Sequence, residues 1–120
     1  MSHAKDLVLR YLEAYRASDR DAVVACLTED VEWDIPGHRL LRGRDAFRDE
    51  IVPPGAAERP DITDEMVVEE GDTVVVAGTV RTAFTDGRPL VVRFCDVFVL
   101  RDGLIARLVS YGVPVPEEAG

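Results

Sequence analysis

Three glycine–aspartate pairs punctuate the second half of the chain: Gly71-Asp72, Asp86-Gly87 and Asp102-Gly103. Around them run four stretches rich in β-branched and aromatic residues: Ile62 to Glu70, Thr73 to Phe84, Leu90 to Leu100 and Leu104 to Val113. A tight Asp-Gly turn between such stretches is a strong hairpin signal, so this half predicts four long strands in hairpin succession. The first half has a different period. Val8, Tyr11, Leu12 and Tyr15 recur at helical spacing and predict a helix from Ala4 to Ala17. Ser18 reads as the N-cap of a second helix from Asp19 to Leu27, with Asp19 and Asp21 at its positive end. Val31 to Ile35 alternates and predicts a short strand, broken by Pro36-Gly37, and His38 to Leu41 a second. Gly43 precedes a third helix, Arg44 to Val52, which Pro53-Pro54-Gly55 ends; residues 53–60 read as a loop. Helices first and strands after is the α+β pattern: helices grouped on one face of a largely antiparallel sheet.

The 120 residues make one domain, 1–120, able to bury roughly two-thirds of its extended surface. Lys and Arg number 14 against 23 Asp and Glu, a net charge of −9, with no basic run. Nucleic acid and anionic membrane surfaces are therefore not expected partners. Apolar runs such as Val74 to Ala77 are too short to span a bilayer, and the first residues carry no apolar signal region. Cys26 and Cys95 suit a reduced, cytoplasmic protein. No Cys or His spacing fits a metal, and no Gly-x-Gly-x-x-Gly, Walker sequence or Gly-x-Ser-x-Gly elbow occurs, so no metal and no cofactor are expected. Val74-Val75-Val76 and Val91-Val92 are apolar on both faces of their strands. One face must meet the helices; the other is expected to meet a second copy in a homodimer, although strand propensity alone also favours valine there.

One residue breaks the strand pattern. Val92, Phe94, Asp96, Phe98 and Leu100 share one face of their strand, which places a carboxylate inside an apolar stripe. Burial of that stripe raises the Asp96 pKa and makes it either a hydrogen-bond donor for an oxyanion or a general acid or base. The same position suits a carboxylate that bonds a backbone N–H or pairs with an arginine, Arg81 being one candidate. Tyr11 and Tyr15 lie on the core stripe of the first helix, where a phenol needs a partner. Asp34 and His38 flank Pro36-Gly37 beside Trp33. Alternation sets Trp33 and Ile35 on one face and Asp34 on the other, so Asp34 turns inward only if a bulge re-aims it.

Residues 7–113 resemble the nuclear transport factor 2-like superfamily, and within it the SnoaL-like and ketosteroid isomerase-like small proteins. The resemblance is carried by Tyr11-Leu12-Glu13-Ala14-Tyr15, Thr28 to Asp34, Pro36-Gly37, Arg42 to Phe47, Asp96-Val97-Phe98 and Asp102 to Ile105. It implies a cone-shaped, curved, mostly antiparallel sheet with three helices enclosing a pocket. Similarity to ketosteroid isomerases implies a base aspartate after the first short strand, with a tyrosine and a protonated aspartic acid in the oxyanion hole. Tyr11 and Asp96 match the last two. Ile35 falls at the base position, with Asp34 one residue early. Similarity to SnoaL-like cyclases implies an acid or histidine near the strand end, Asp34 or His38, and an acid on the late strands, Asp96. Ser110 stands where epoxide-opening relatives carry a late aspartate.

These readings converge on a proton-transfer enzyme of isomerase or cyclase type, without cofactor, acting on a hydrophobic carbonyl-bearing molecule. Asp34, assisted by His38, is expected as base, and Tyr11 with Asp96 as oxyanion holders. Trp33, Phe47, Phe94, Leu108 and Ser110 are expected to contact the substrate. A non-catalytic binding module of the same fold is the alternative.

Overall fold

The computed structural model describes residues 3–51, 60–84 and 86–116. Among these described residues three helices, α1 (His3–Arg16), α2 (Arg20–Val24) and α3 (Arg44–Asp49), pack with six strands. The strands are β1 (Leu27–Ile35), β2 (Arg39–Arg42), β3 (Asp61–Glu70), β4 (Thr73–Ala83), β5 (Pro89–Arg101) and β6 (Leu104–Val115). They form one curved, unclosed sheet in the order β2-β1-β6-β5-β4-β3. The expected α+β class holds. Neighbours are antiparallel except β1 and β6, which run parallel, so the sheet is mixed.

Several boundaries differ from the sequence reading for local reasons. Asp19, not Ser18, caps α2: its side chain accepts from the Ala22 N–H, while Ser18 is buried at φ 55°. α2 therefore ends before Cys26, whose carbonyl accepts from Ile105 N–H at 2.8 Å. β1 begins at Leu27, four residues early, because that backbone joins β6 before a bulge between Leu27 and Glu32. The Asp102-Gly103 turn has positive φ at both residues, 54° and 78°, the two-residue hairpin geometry its sequence suggests. Val52 and the loop expected after it fall outside the described residues up to Arg59, as do Thr85 and the acidic tail from Glu117.

Register shifts at Asp64/Met66 in β3 and Val99/Leu100 in β5 bend the sheet around α1. α1 buries Leu7, Val8, Tyr11 and Leu12 against the concave face. Its ends are pinned to β3. Glu69 accepts from the Lys5 N–H at 2.8 Å, satisfying a first-turn donor, and Arg16 pairs with Asp64 and donates to the Ile62 carbonyl. The convex face carries Met66, Val68, Val99, Tyr111 and Val113, all exposed. Cys26 and Cys95 are both free. Among the described residues no helix is long and apolar enough to cross a membrane.

Candidate functional site

The concave face of the sheet closes on α1 over a cavity of about 190 Å³. Tyr11, Leu12 and Tyr15 of α1 form its roof. Trp33 of β1, Ile62 of β3, Val80 of β4 and Phe94 of β5 form its walls, with Pro60 at the rim. Among the described residues Asp96 is the one carboxyl-bearing residue that lines it.

Strand pairing explains how Asp96 comes to be there. It sits between Val76 of β4 and Ser110 of β6 on the concave side. Phe94 pairs with Gly78, and a Cβ on Gly78 would stand 2.8 Å from the Phe94 ring. The missing side chain thus lets the ring lie against the β4 backbone and face the cavity.

Burial drives the Asp96 carboxyl up from its ordinary 3.8 to about 6, and a hydrogen bond from Ser110 offsets part of that rise. Among the described residues no cation does so: Arg81, the partner considered from sequence, pairs in register with Val91 and belongs to the convex face. Ser110 is itself fixed, because the Trp33 indole N–H donates to its Oγ at 2.9 Å. An indole can only donate, so the hydroxyl hydrogen of Ser110 is left to point at Asp96. The Ser110 hydroxyl thereby engages the same carboxyl that lines the cavity.

Tyr11 and Tyr15 add two phenols to the cavity lining. Burial raises Tyr11 well above the ordinary phenol value, with smaller contributions from Tyr15, Asp96 and Cys26. Burial pushes Tyr15 up to about 12, with Asp96 and Glu50 adding to the rise. Both therefore stay protonated donors over the working range of any such site.

Comparison with known proteins places this geometry. The sequence model of the SnoaL-like domain family matches residues 8–108, nearly the whole chain. This chain belongs to the SnoaL-like domain family.

The SnoaL-like domain is also similar to solved structures. One, a candidate polyketide cyclase from Xanthomonas campestris pv. campestris, is 30% identical with a TM-score of 0.80. The match covers 92% of this chain and 90% of that one. An LEH-like epoxide hydrolase from M. tuberculosis is 20% identical at TM-score 0.80, covering 94% and 84%. A candidate ketosteroid isomerase from Kribbella flavida is 18% identical at TM-score 0.75, covering 100% and 84%. The last two likenesses speak for the fold alone. No curated protein matches the chain.

Within this SnoaL-like domain the expected site residues divide. Asp96, Tyr11, Trp33 and Phe94 come together around the cavity, and Ser110 touches Asp96 from beside it. Asp34 does not join them. It lies on the opposite face from Trp33 and accepts from Arg107 Nη2 at 3.2 Å, alongside Glu32 at 3.1 Å from Nη1. The β1 bulge lies upstream of Glu32 and leaves the alternation at Asp34 intact. His38 is exposed in the turn after β1, held by its backbone N–H to the Ile35 carbonyl.

Phe47 and Leu108 are each 1% exposed and fill the deep end of the cone instead of lining the cavity. Phe47 stacks on Trp33 at 4.5 Å and meets Tyr11 edge-on at 6.0 Å. Ile62 and Val80 were missed as lining residues. Their alternation was readable, but which face closes on α1 depends on the bulge in β3.

A larger hollow of about 580 Å³ lies at the α1–α2 junction between Asp19, Asp21 and Arg48. It is an open surface depression, and Arg48 there already pairs with Asp21 at 2.6 Å. Among the described residues no cluster of three or more His, Cys, Asp or Glu side chains is arranged to hold a metal.

Proposed function

We propose that this protein is a cofactor-independent proton-transfer enzyme, of isomerase or cyclase type, acting on a hydrophobic carbonyl-bearing molecule. The observation that carries the reading is the Asp96 carboxyl, housed in an apolar cavity and brought to about 6 by burial. A general base works best when its pKa approaches the ambient pH, and Asp96 is nearer to that than the ordinary carboxylate value of 3.8. Membership of a family with cyclase-like relatives supports the same reading.

Asp34 was the expected base; the cavity makes Asp96 the better candidate. In the ionised state its cavity-facing oxygen takes the proton from the carbon next to the carbonyl. The C–H electron pair moves onto the carbonyl oxygen, where the Tyr11 and Tyr15 hydroxyls donate hydrogen bonds. Asp96 then returns the proton to carbon. Two such donors in a water-poor site contribute about 3 kcal/mol each to transition-state stability. Incubation with cyclic ketones in deuterated water tests this: exchange at the α-carbon is expected, and its loss in Asp96→Asn.

The binding-module reading is favoured by one specific observation: among the described residues Asp96 is the one carboxyl in the cavity lining, with no second acid–base group to relay a proton. Saturable binding with no exchange on any ketone would decide for it.

We also propose that the convex face is covered by a second copy. Met66 and Val68 of β3 and Tyr111 and Val113 of β6 are each more than half exposed and lie on one face of the sheet. Such a stripe meets its own copy across a two-fold axis without any new surface being required.

A further inference from the structure

The deep end of the cone is packed with aromatic side chains, and this limits what the cavity can hold. Phe98 and Phe47 are 0% and 1% exposed. Tyr11 meets Phe98 edge-on at 5.3 Å and Phe47 at 6.0 Å, so the roof is wedged against the filled end. Trp33 is held on two sides, by the Phe47 ring and by Ser110 Oγ. Phe94 has the β4 backbone behind it at Gly78. None of these walls yields without breaking a contact named above.

The remaining space is about 190 Å³. A dry cavity of roughly 150 Å³ holds benzene, so there is room for one six-membered ring and a small substituent. Two fused rings exceed it.

The polar groups restrict the ligand further. From α1, Tyr11 and Tyr15 present hydroxyls. From β5 comes Asp96, and from β6 Ser110, already engaged with Asp96 and Trp33. No lysine, arginine or histidine lines the cavity among the described residues. A ligand anion would face the Asp96 carboxylate with no compensating cation among the described lining residues. A neutral oxygen acceptor meets donors.

We propose that the cavity takes a neutral, single-ring molecule whose one oxygen accepts from the α1 tyrosines while an adjacent ring atom faces the Asp96 carboxyl. This rests on reading the cavity as a ligand site, and it excludes fused-ring steroid- or polycycle-sized substrates from the interior.

The test uses the lone tryptophan of the chain as reporter. The indole N–H NMR signal of Trp33 is followed during titration with cyclohexanone, 1-tetralone, a four-ring steroid ketone and benzoate at pH 7.5. Cyclohexanone is expected to move the signal saturably. The fused-ring ketones should bind roughly tenfold to a hundredfold more weakly, the penalty for forcing an extra ring into close-packed walls. Benzoate should not bind. Val80→Phe, or Ile62→Phe if the first fails to fold, should abolish the cyclohexanone response by filling the space.

Tetralone, the steroid or benzoate binding as tightly as cyclohexanone would overturn the inference. So would silence of Trp33 to every probe, or a response that survives both blocking variants. The outcome is separable from the proton-transfer reading. Cyclohexanone binding without exchange removes the catalysis and keeps the ligand class. Exchange confined to fused-ring ketones does the reverse.

Discussion

Trp33 donates its indole N–H to Ser110 across 2.9 Å, tying the parallel neighbours β1 and β6 together beside Asp96. The hydroxyl so fixed is the one that donates to the Asp96 carboxyl. A bond between two residues 77 apart in sequence therefore orients the hydroxyl that meets Asp96.

Removing that hydroxyl should shift the titration of Asp96. Donation from Ser110 stabilises the ionised form, so Ser110→Ala is expected to raise the Asp96 pKa by roughly one further pH unit. Ser110→Thr keeps the donor and should restore the parent value. Carboxyl-carbon NMR titration measures both, and an unchanged Asp96 curve in Ser110→Ala would remove Ser110 from the account.

The Asp96 carboxyl also links stability to pH. Its pKa is raised from 3.8 to about 6 on folding. Between those values the native state holds a proton that the unfolded chain has released, so stability falls as pH rises through the window. The full cost, reached above pH 6, is about 3 kcal/mol. Asp96→Asn escapes it. In urea unfolding, the variant should gain up to about 3 kcal/mol on the parent at pH 8 and close to nothing at pH 4. An equal difference at both pH values would mean that Asp96 is not desolvated.

Asp34→Asn distinguishes the sequence expectation from the observed geometry. Its carboxylate pairs with Arg107 on the convex face and is about a third exposed. Pairs of this kind contribute about 0–1 kcal/mol. The expected result is exchange activity within about twofold of the parent, with a small loss of stability. A large fall in turnover at unchanged stability would return the base role to Asp34.

Phe47→Leu should enlarge the deep end of the cone. The side chain is buried against Trp33 and Tyr11, and its loss is expected to cost about 1–3 kcal/mol in thermal unfolding. The same variant should accept 1-tetralone better than the parent does, read from the Trp33 signal. Destabilisation without any change in ligand preference would mean that the filled end does not set the cavity size.

Val113→Asp tests the convex face. Val113 is 60% exposed, so a carboxylate there leaves the fold nearly unaffected in an isolated chain. Light scattering coupled to gel filtration should give a dimeric mass for the parent and a monomeric mass for the variant. A monomeric parent would reject the homodimer.

Much of the architecture was legible along the chain. Turns at Asp-Gly pairs, strict alternation in β5 and the apolar stripe of α1 are local signals, and each produced its element within a few residues. The presence of Asp96 among Val92, Phe94, Phe98 and Leu100 was visible for the same reason: alternation needs no tertiary information. The exclusion of Asp34 from that face was also implicit in alternation.

What lies opposite Asp96 was not readable. Arg101 faces Leu104 and Leu100 faces Ile105, as the two-residue turn dictates. Continued regularly, that count sets Asp96 against Val109. The bulge between Val99 and Leu100 advances β6 by one residue and sets Asp96 against Ser110 instead. A one-residue slip exchanges the two faces of a strand, so the bulge alone turns Ser110 inward and Val109 outward. The chain by itself determined which elements form and that one carboxyl would lie among apolar neighbours. Only the folded sheet, by its bend and register, decided that the carboxyl would have a hydroxyl partner, two phenols above it and a space one ring wide.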